Sequence, residues 1–315
     1  MADKFDIVQC YRRFLSEDPD VPMPVAAIES LVEFVKQSEA TTSAELMDTL
    51  KNAIQTLKSS TRNSISLSAG CDVFMQFVTR VFHDLMDFDA LKKHLISRGE
   101  FIVARAAACR DKVAEFGEQF IKDDAVILIH SYSRVVMGLL LRAAQSNKRF
   151  KVYVTESRPS SAGLKAAKVL RKHGIPSTVV LDSAVGYIIH KVDMVLVGAE
   201  GVVENGGLIN QIGTYQIAVV AKEANKPFYA VAESYKFVRL FPLNQYDLPT
   251  STPDVLAFPN LEGMGSDNSE KDIEGFESIN PSVDYTPPSY ITLLFTDLGI
   301  VTPSGVSDEL IKLHL

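Results

Sequence analysis

Cysteine is scarce in this chain of 315 residues. Cys10, Cys71 and Cys109 stand far apart and form no C-x-x-C pair. That excludes the common zinc-ligand spacings and a dithiol redox couple, and predicts the reduced thiols of a cytosolic protein. Long apolar runs are missing as well. The longest, Val135 to Leu141, is far too short to cross a bilayer. The start, Met1-Ala-Asp-Lys-Phe-Asp6, brings charge at once and offers no apolar h-region, so no signal peptide and no membrane partner are expected. Basic excess is absent: 32 Lys and Arg stand against 39 Asp and Glu, for a net charge of -7. Nine acids and one base fall between Tyr246 and Asp284. That stretch alone sums to -8 and leaves +1 for the rest, so no nucleic-acid partner is expected. Neither G-x-x-x-x-G-K-[ST] nor G-x-G-x-x-G occurs, which removes the usual fingerprints of nucleotide hydrolysis and dinucleotide binding.

What is present reads as globular. Apolar residues make up 46% and charged residues 23%, and the length predicts two domains. Residues 1–120 read as a helical domain. Ile28, Leu31, Val32 and Val35 recur at helical spacing between Pro24 and Gln37, with Pro24 suited to a first turn. Thr42-x-x-Glu45 reads as a capping box before the stripe Leu46, Leu50, Ile54 and Leu57. After Gly70 come Val73, Phe74, Phe77, Val78, Val81 and Phe82. Two further helices are expected over 89–97 and 100–120. Ser64 to Gly70, rich in serine, reads as a loop between helices.

Residues 121–315 alternate strand and helix. Short runs rich in β-branched residues lie at 125–129, 151–154, 177–181, 194–197, 227–232 and 291–295. Helices are expected at 134–147, 162–173, 184–190, 214–225 and 304–313. This pattern predicts βαβ units in a Rossmann-like, doubly wound parallel sheet, giving an α/β fold behind a helical N-terminal domain. Residues 246–288, acidic and proline-rich, read as a surface excursion.

Ligands of open α/β sheets bind beyond the carboxyl ends of the strands, and here those ends are polar. They carry His130-Ser-Tyr-Ser-Arg134, Thr155-Glu-Ser-Arg158, Asp182-Ser183, the glycine-rich stretch from Gly198 to Thr214, and Glu233-Ser234. Ser133, Ser183 and Thr214 are candidate N-caps, and Glu233 or Asp182 is a candidate for a structurally paired carboxylate. Arg134 and Arg158, together with helix N-termini, offer a cradle for phosphate or carboxylate.

These same segments carry a resemblance. Ile-His-Ser-Tyr-Ser-Arg-Val-Val, Val-Tyr-Val-Thr-Glu-Ser-Arg-Pro, Val-Gly-Ala-Glu-Gly-Val-Val-Glu-Asn-Gly-Gly and Ala-Glu-Ser-Tyr-Lys-Phe resemble the regulatory subunits of eukaryotic translation initiation factor 2B. The C-terminal run Leu-Leu-Phe-Thr-Asp-Leu-Gly-Ile-Val-Thr-Pro resembles the alpha branch of that family. The resemblance implies a non-catalytic subunit of the exchange factor for initiation factor 2. It implies a homodimer bridging the beta, gamma, delta and epsilon subunits, and shared sensing of initiation factor 2 phosphorylated on its alpha subunit. The superfamily also holds sugar-phosphate isomerases, which use a Cys after the first strand and an Asp after the fourth. The matching positions here are Ser131 and Glu200.

An alcohol cannot titrate near neutrality as a tuned thiol can. A displaced carboxylate is costly in proton transfer, so no isomerase activity is expected. Arg158, Gly163, Asn205, Asn210 and Gly213-Thr214 match the family's binding pattern, whereas Gln211 replaces a lysine of the isomerases. The expected site is therefore Ser131, Arg134, Arg158, Gly163, Glu200, Asn205, Asn210 and Gln211. It would take a sugar phosphate or nucleoside monophosphate as a regulatory ligand, with no required cofactor and no metal. An aldose–ketose isomerase is the alternative, and a dinucleotide oxidoreductase is a third reading suggested by the sheet alone. The stretch from Phe237 to Leu243 and the end from Leu310 to Leu315 are candidate dimer faces. The helical domain is the candidate phospho-sensing surface.

Overall fold

A computed structural model describes residues 5–18, 21–61, 64–84, 87–248 and 281–314. Five helices come first: α1 (Ile7–Glu17), α2 (Met23–Gln37), α3 (Ser43–Ser59), α4 (Ile65–Asp84) and α5 (Phe88–Glu118). The predicted stripes form their core, with Leu31, Leu46, Leu50, Leu57 and Phe74 fully buried, each side chain stabilising the bundle by roughly 1.5–3 kcal/mol. α1 has no counterpart in the sequence reading. Asp6 caps it by accepting from Val8 N and Gln9 N.

Two expectations in this region need correction. Residues 65–70 are the opening turns of α4, not a loop. Ile65 and Leu67 are fully buried in two different clusters, and this burial overrides the weak helix propensity of Ser66 and Ser68. Residues 89–97 and 100–120 belong to one helix, α5. Gly99, in the gap left between the two expected helices, is buried within it and abuts Val32 of α2; a side chain there would push the two helices apart.

The remaining elements run β1 (Ala125–His130), α6 (Arg134–Gln145), β2 (Phe150–Thr155), α7 (Ala162–Lys172), β3 (Ser177–Val180), α8 (Val185–Ile188), β4 (Met194–Val197), β5 (Gly201–Val203), β6 (Leu208–Gln211), α9 (Thr214–Glu223), β7 (Phe228–Val231), β8 (Phe237–Val238), β9 (Val283–Thr286), β10 (Leu293–Thr296), β11 (Gly299–Val301) and α10 (Val306–His314). The main sheet has the order β11-β10-β7-β4-β1-β2-β3. Its neighbours are parallel except for the antiparallel edge strand β11. Apolar clusters cover both faces of this sheet, as parallel strands require. All six expected strands are present.

A second sheet, β8-β5-β6-β9, was not foreseen. Gly198 to Thr214, read only as a glycine-rich stretch after a strand, contains the antiparallel hairpin β5–β6. Its strands are too short for a periodicity to register, although Glu204-Asn205-Gly206-Gly207 is a recognisable hairpin turn. β9 lies inside the stretch read as an acidic excursion, and the bulk of that excursion, 249–280, lies outside the described residues. β9 pairs with β6, matching Asn210 with Asp284. Among the described residues no helix is long and apolar enough to cross a membrane.

Candidate functional site

The strand order reverses between β1 and β4, its neighbour on the other side. Connections from β1 and β4 leave toward opposite faces at such a point, opening a crevice beyond their carboxyl ends. Ser131 comes directly after β1 and Glu200 lies three residues beyond β4, so these two expected residues flank the switch point. Ser131 is buried and takes a left-handed backbone, φ 61°. This conformation is uncommon for a residue with a Cβ and concentrates at functional sites.

Glu200 opens the β5–β6 hairpin, and its amide donates to Ile209 O. Two side chains hold its carboxylate. Ser66, from the first turn of α4, donates to Oε2, and Gln211 Nε2 donates to Oε1 at 3.2 Å. The helical region thus reaches into the crevice. The Gln211 amide is thus spent on Glu200.

Behind Ser131, His130 is buried and bridges three strand ends. Its Nε2 lies 2.9 Å from Ile212 O and its Nδ1 lies 2.6 Å from Thr155 Oγ1. The carbonyl can only accept, so Nε2 carries the proton and Nδ1 accepts from the threonine hydroxyl. Burial lowers the His130 pKa, which keeps this neutral tautomer. His130 therefore fixes the ends of β1 and β2 against the segment beyond β6.

That segment leads into α9. Gly213 is its cap residue at φ 102°, a conformation that favours glycine. Thr214, expected as the cap, is instead the first helical residue. Its hydroxyl donates to Gln211 O at 2.6 Å and accepts from Asn210 Nδ2 at 3.1 Å. Ser133 occupies the cap position of α6 but makes no side-chain cap bond, and Ser183 lies in a short 3-10 turn without one.

The N-terminus of α9 is held by Asp284, which sequence reasoning did not select. Its Oδ2 accepts from Gly213 N at 2.7 Å and from Tyr215 N at 3.0 Å. Oδ1 is buried without a hydrogen-bond partner. Burial raises the Asp284 pKa from 3.8 to about 7, and the amides of Tyr215, Gly213 and Thr214 oppose that rise.

Arg158 stands on the loop after β2. That loop is stapled by Asp182, whose carboxylate accepts from Ser157 N at 2.8 Å and Arg158 N at 2.7 Å. The guanidinium is half-exposed and pairs with Glu156 at 3.2 Å. A Cβ on Gly163 would lie 2.9 Å from the Thr155 carbonyl carbon and 3.0 Å from Glu156 Cα, so only glycine lets α7 start this close to the end of β2. Arg134 donates to Val21 O at 2.7 Å and ties α6 to the helical region. Glu233 is buried among Lys236 at 3.1 Å, Arg110 at 3.5 Å and the Tyr235 hydroxyl at 2.9 Å. Burial raises its pKa, and Lys236 with the other donors outweighs that and lowers it. Asp182 and Glu233 are thus the structural carboxylates of the rim.

The expected residues do not all meet. Glu200, Asn210 and Gln211 sit at the open end of the hairpin beside the His130–Ser131 corner. Asn205 sits at its closed end, where Nδ2 donates to Tyr285 Oη at 2.7 Å and Oδ1 accepts from Gly207 N. Ser66 and Asp284 adjoin these residues without having been selected. His130 and Thr155 were named among the polar strand ends but left out of the expected site, and they are buried behind Ser131. Among the described residues no group of three metal-ligating side chains occurs.

The chain is similar to several known proteins along nearly its whole length. Residues 16–303 match the profile of the Initiation factor 2 subunit family. Translation initiation factor eIF2B subunit alpha of Dictyostelium discoideum is 46% identical over 310 residues, covering 98% of this chain and 96% of that one. The protein of the same name from Caenorhabditis elegans is 36% identical over 315 residues, covering 98% of each. Ribose 1,5-bisphosphate isomerase of Methanocaldococcus jannaschii is 34% identical over 215 residues, 68% of this chain and 67% of that one. In fold, the chain is similar to one from the tetrameric eIF2B-beta2-delta2 complex of C. thermophilum, with a TM-score of 0.76, 20% identity and coverage of 99% and 96%.

Proposed function

Because this chain belongs to the Initiation factor 2 subunit family, we propose that it is a non-catalytic regulatory subunit of the guanine-nucleotide exchange factor for translation initiation factor 2. The observation that carries this reading is similarity along nearly the whole chain, at 46% identity, to a relative named as eIF2B subunit alpha. In this reading the chain works in the cytosol as a homodimer. It joins the beta, gamma, delta and epsilon subunits and helps sense initiation factor 2 phosphorylated on its alpha subunit.

The chemistry of the crevice supports the non-enzymatic part. Ser131 offers an alcohol with no accessible ionisation near neutrality. The Glu200 carboxylate is engaged by Ser66 and Gln211 rather than free to move a proton. A retained binding pocket is part of the same reading: Arg158 supplies a guanidinium for a phosphate, and Glu200 and Asn210 supply groups for sugar hydroxyls. In the candidate dimer faces Phe237, Val238 and Leu310 are buried in the chain's own core, whereas Phe241, Leu243 and Ile311 are exposed and available for self-association. Support for self-association comes from the edge strand β3 and the segment leading from it into α8, where Leu181 and Tyr187 are exposed.

Sedimentation and equilibrium titration test these parts separately. The isolated chain is expected to sediment as a dimer and to enter a larger particle with the other subunits. A lone monomer that joins nothing contradicts the assembly role. Titration with hexose phosphates and nucleoside monophosphates is expected to saturate and to weaken in Arg158→Ala. No saturable binding removes the pocket. The isomerase reading rests on the similarity to the Methanocaldococcus jannaschii enzyme and is separated from the first by an aldose-to-ketose assay.

A further inference from the structure

A second cavity, of about 770 Å³, lies away from the switch point, between α4, α5 and the loops after β7, β8 and β10. Its size is in the range of pockets that enclose a small organic molecule. Four arginines line it, Arg80 from α4, Arg98 and Arg105 from α5, and Arg239 after β8. They are spread over about half of the sequence and meet only in the fold.

Two of the guanidinium groups are held in place by rings. Arg98 lies 5.1 Å from the centre of Phe101 and 5.8 Å from that of Phe77, and Arg105 lies 5.3 Å from Phe101. Positions 98, 101 and 105 share one face of α5. Stacking of this kind orients the planar fork before a ligand arrives and reduces the entropy lost on binding.

The carboxylates that line the cavity are already engaged. Two carboxylates line the cavity, Asp72 and Asp297. Asp72 pairs with Lys58 at 3.2 Å. Asp297 accepts from Ser234 N at 2.6 Å and Ser234 Oγ at 2.9 Å. Among the described residues, no carboxylate lies within salt-bridge distance of Arg98, Arg105 or Arg239. The cavity is therefore cationic and has fixed guanidinium forks, and its apolar wall includes Ile102, Tyr235 and Leu298.

We propose that this cavity is a binding site for a small phosphorylated molecule with an apolar or aromatic body, separate from the crevice of Ser131 and Glu200. The forks take phosphate oxygens in bidentate fashion, and the apolar wall takes the body.

Equilibrium titration of the full chain with adenosine triphosphate, inorganic triphosphate, adenosine and a phosphoserine peptide tests this. Saturable binding of adenosine triphosphate is expected, weaker binding of inorganic triphosphate, and none of adenosine. Affinity should fall about tenfold in Arg98→Ala and again in Arg239→Ala, the loss typical of one charged hydrogen-bond partner. Arg158→Ala, in the other crevice, serves as the comparison that tells the two sites apart. Arg239 is an exposed side chain beyond the short strand β8, so its variant remains informative if Arg98→Ala melts early. Absence of saturable binding overturns the proposal. So does loss in Arg158→Ala with none in the other two variants, and so does binding of the phosphopeptide alone.

Discussion

Asp284→Asn is the substitution whose effect is tied most directly to the site. The native carboxyl is buried, accepts two amide hydrogens at the start of α9, and leaves Oδ1 without a partner. Its pKa is pushed up from 3.8 to about 7. Between those values the native state keeps a proton that the unfolded chain has released, so this group makes the protein less stable as pH rises. Above about pH 7 both states are ionised and the dependence ends. Three pKa units at 1.36 kcal/mol each give a cost of about 4 kcal/mol at the alkaline limit. Asparagine keeps an oxygen for Gly213 N and Tyr215 N and never ionises. Urea unfolding of both proteins at about pH 4 to 8.5 isolates the effect, because the other titrating groups cancel in the difference. The two should be nearly equal at the acid end, and the variant should be more stable by up to about 4 kcal/mol at the alkaline end. A difference that does not change with pH, or a variant less stable at the alkaline end, refutes the reasoning.

Two glycines make a paired test. Gly163→Ala forces a Cβ against the backbone of Thr155 and Glu156 and should cost about 3 kcal/mol, at the upper end for overpacking. Gly138→Ala, inside α6 with nothing within 4 Å of the added carbon, should stabilise by about 0.5–1 kcal/mol through helix propensity; thermal unfolding reads both. Arg158→Ala should weaken binding of a hexose phosphate about tenfold by loss of one charged partner, read by calorimetric titration, with the melting temperature nearly unchanged because the side chain is half-exposed. Tyr187→Asp places a charge on an 82% exposed ring and should shift the sedimenting species from dimer to monomer, whereas an unchanged dimer would move the interface elsewhere.

The features legible in the sequence are those set by local repetition. Leu46, Leu50 and Leu57 mark a buried helix face by spacing alone, and the six β-branched runs mark the main sheet. The order of strands and helices was enough to place Ser131 and Glu200 at strand ends. What was not legible depends on contacts between distant segments. Ser66 looks like loop serine until α4 delivers it to the Glu200 carboxylate. Asp284 looks like one more acid of a charged stretch until β9 pairs with β6. The gap left between 97 and 100 closes only once Gly99 is seen against α2. Asn205 was grouped with Asn210 by motif, yet the hairpin sends them to opposite ends. Arg98, Arg105 and Arg239 are unremarkable in sequence and converge only because α5 and the end of β8 line the same cavity.

In the proposed reading this crevice keeps the architecture of a sugar-phosphate site and transfers no proton in it. Phosphorus NMR of ribose 1,5-bisphosphate incubated with the purified chain addresses it directly. The account predicts the unchanged substrate spectrum, the same as in a protein-free control. Appearance of a ketose bisphosphate at a rate proportional to protein concentration would contradict it.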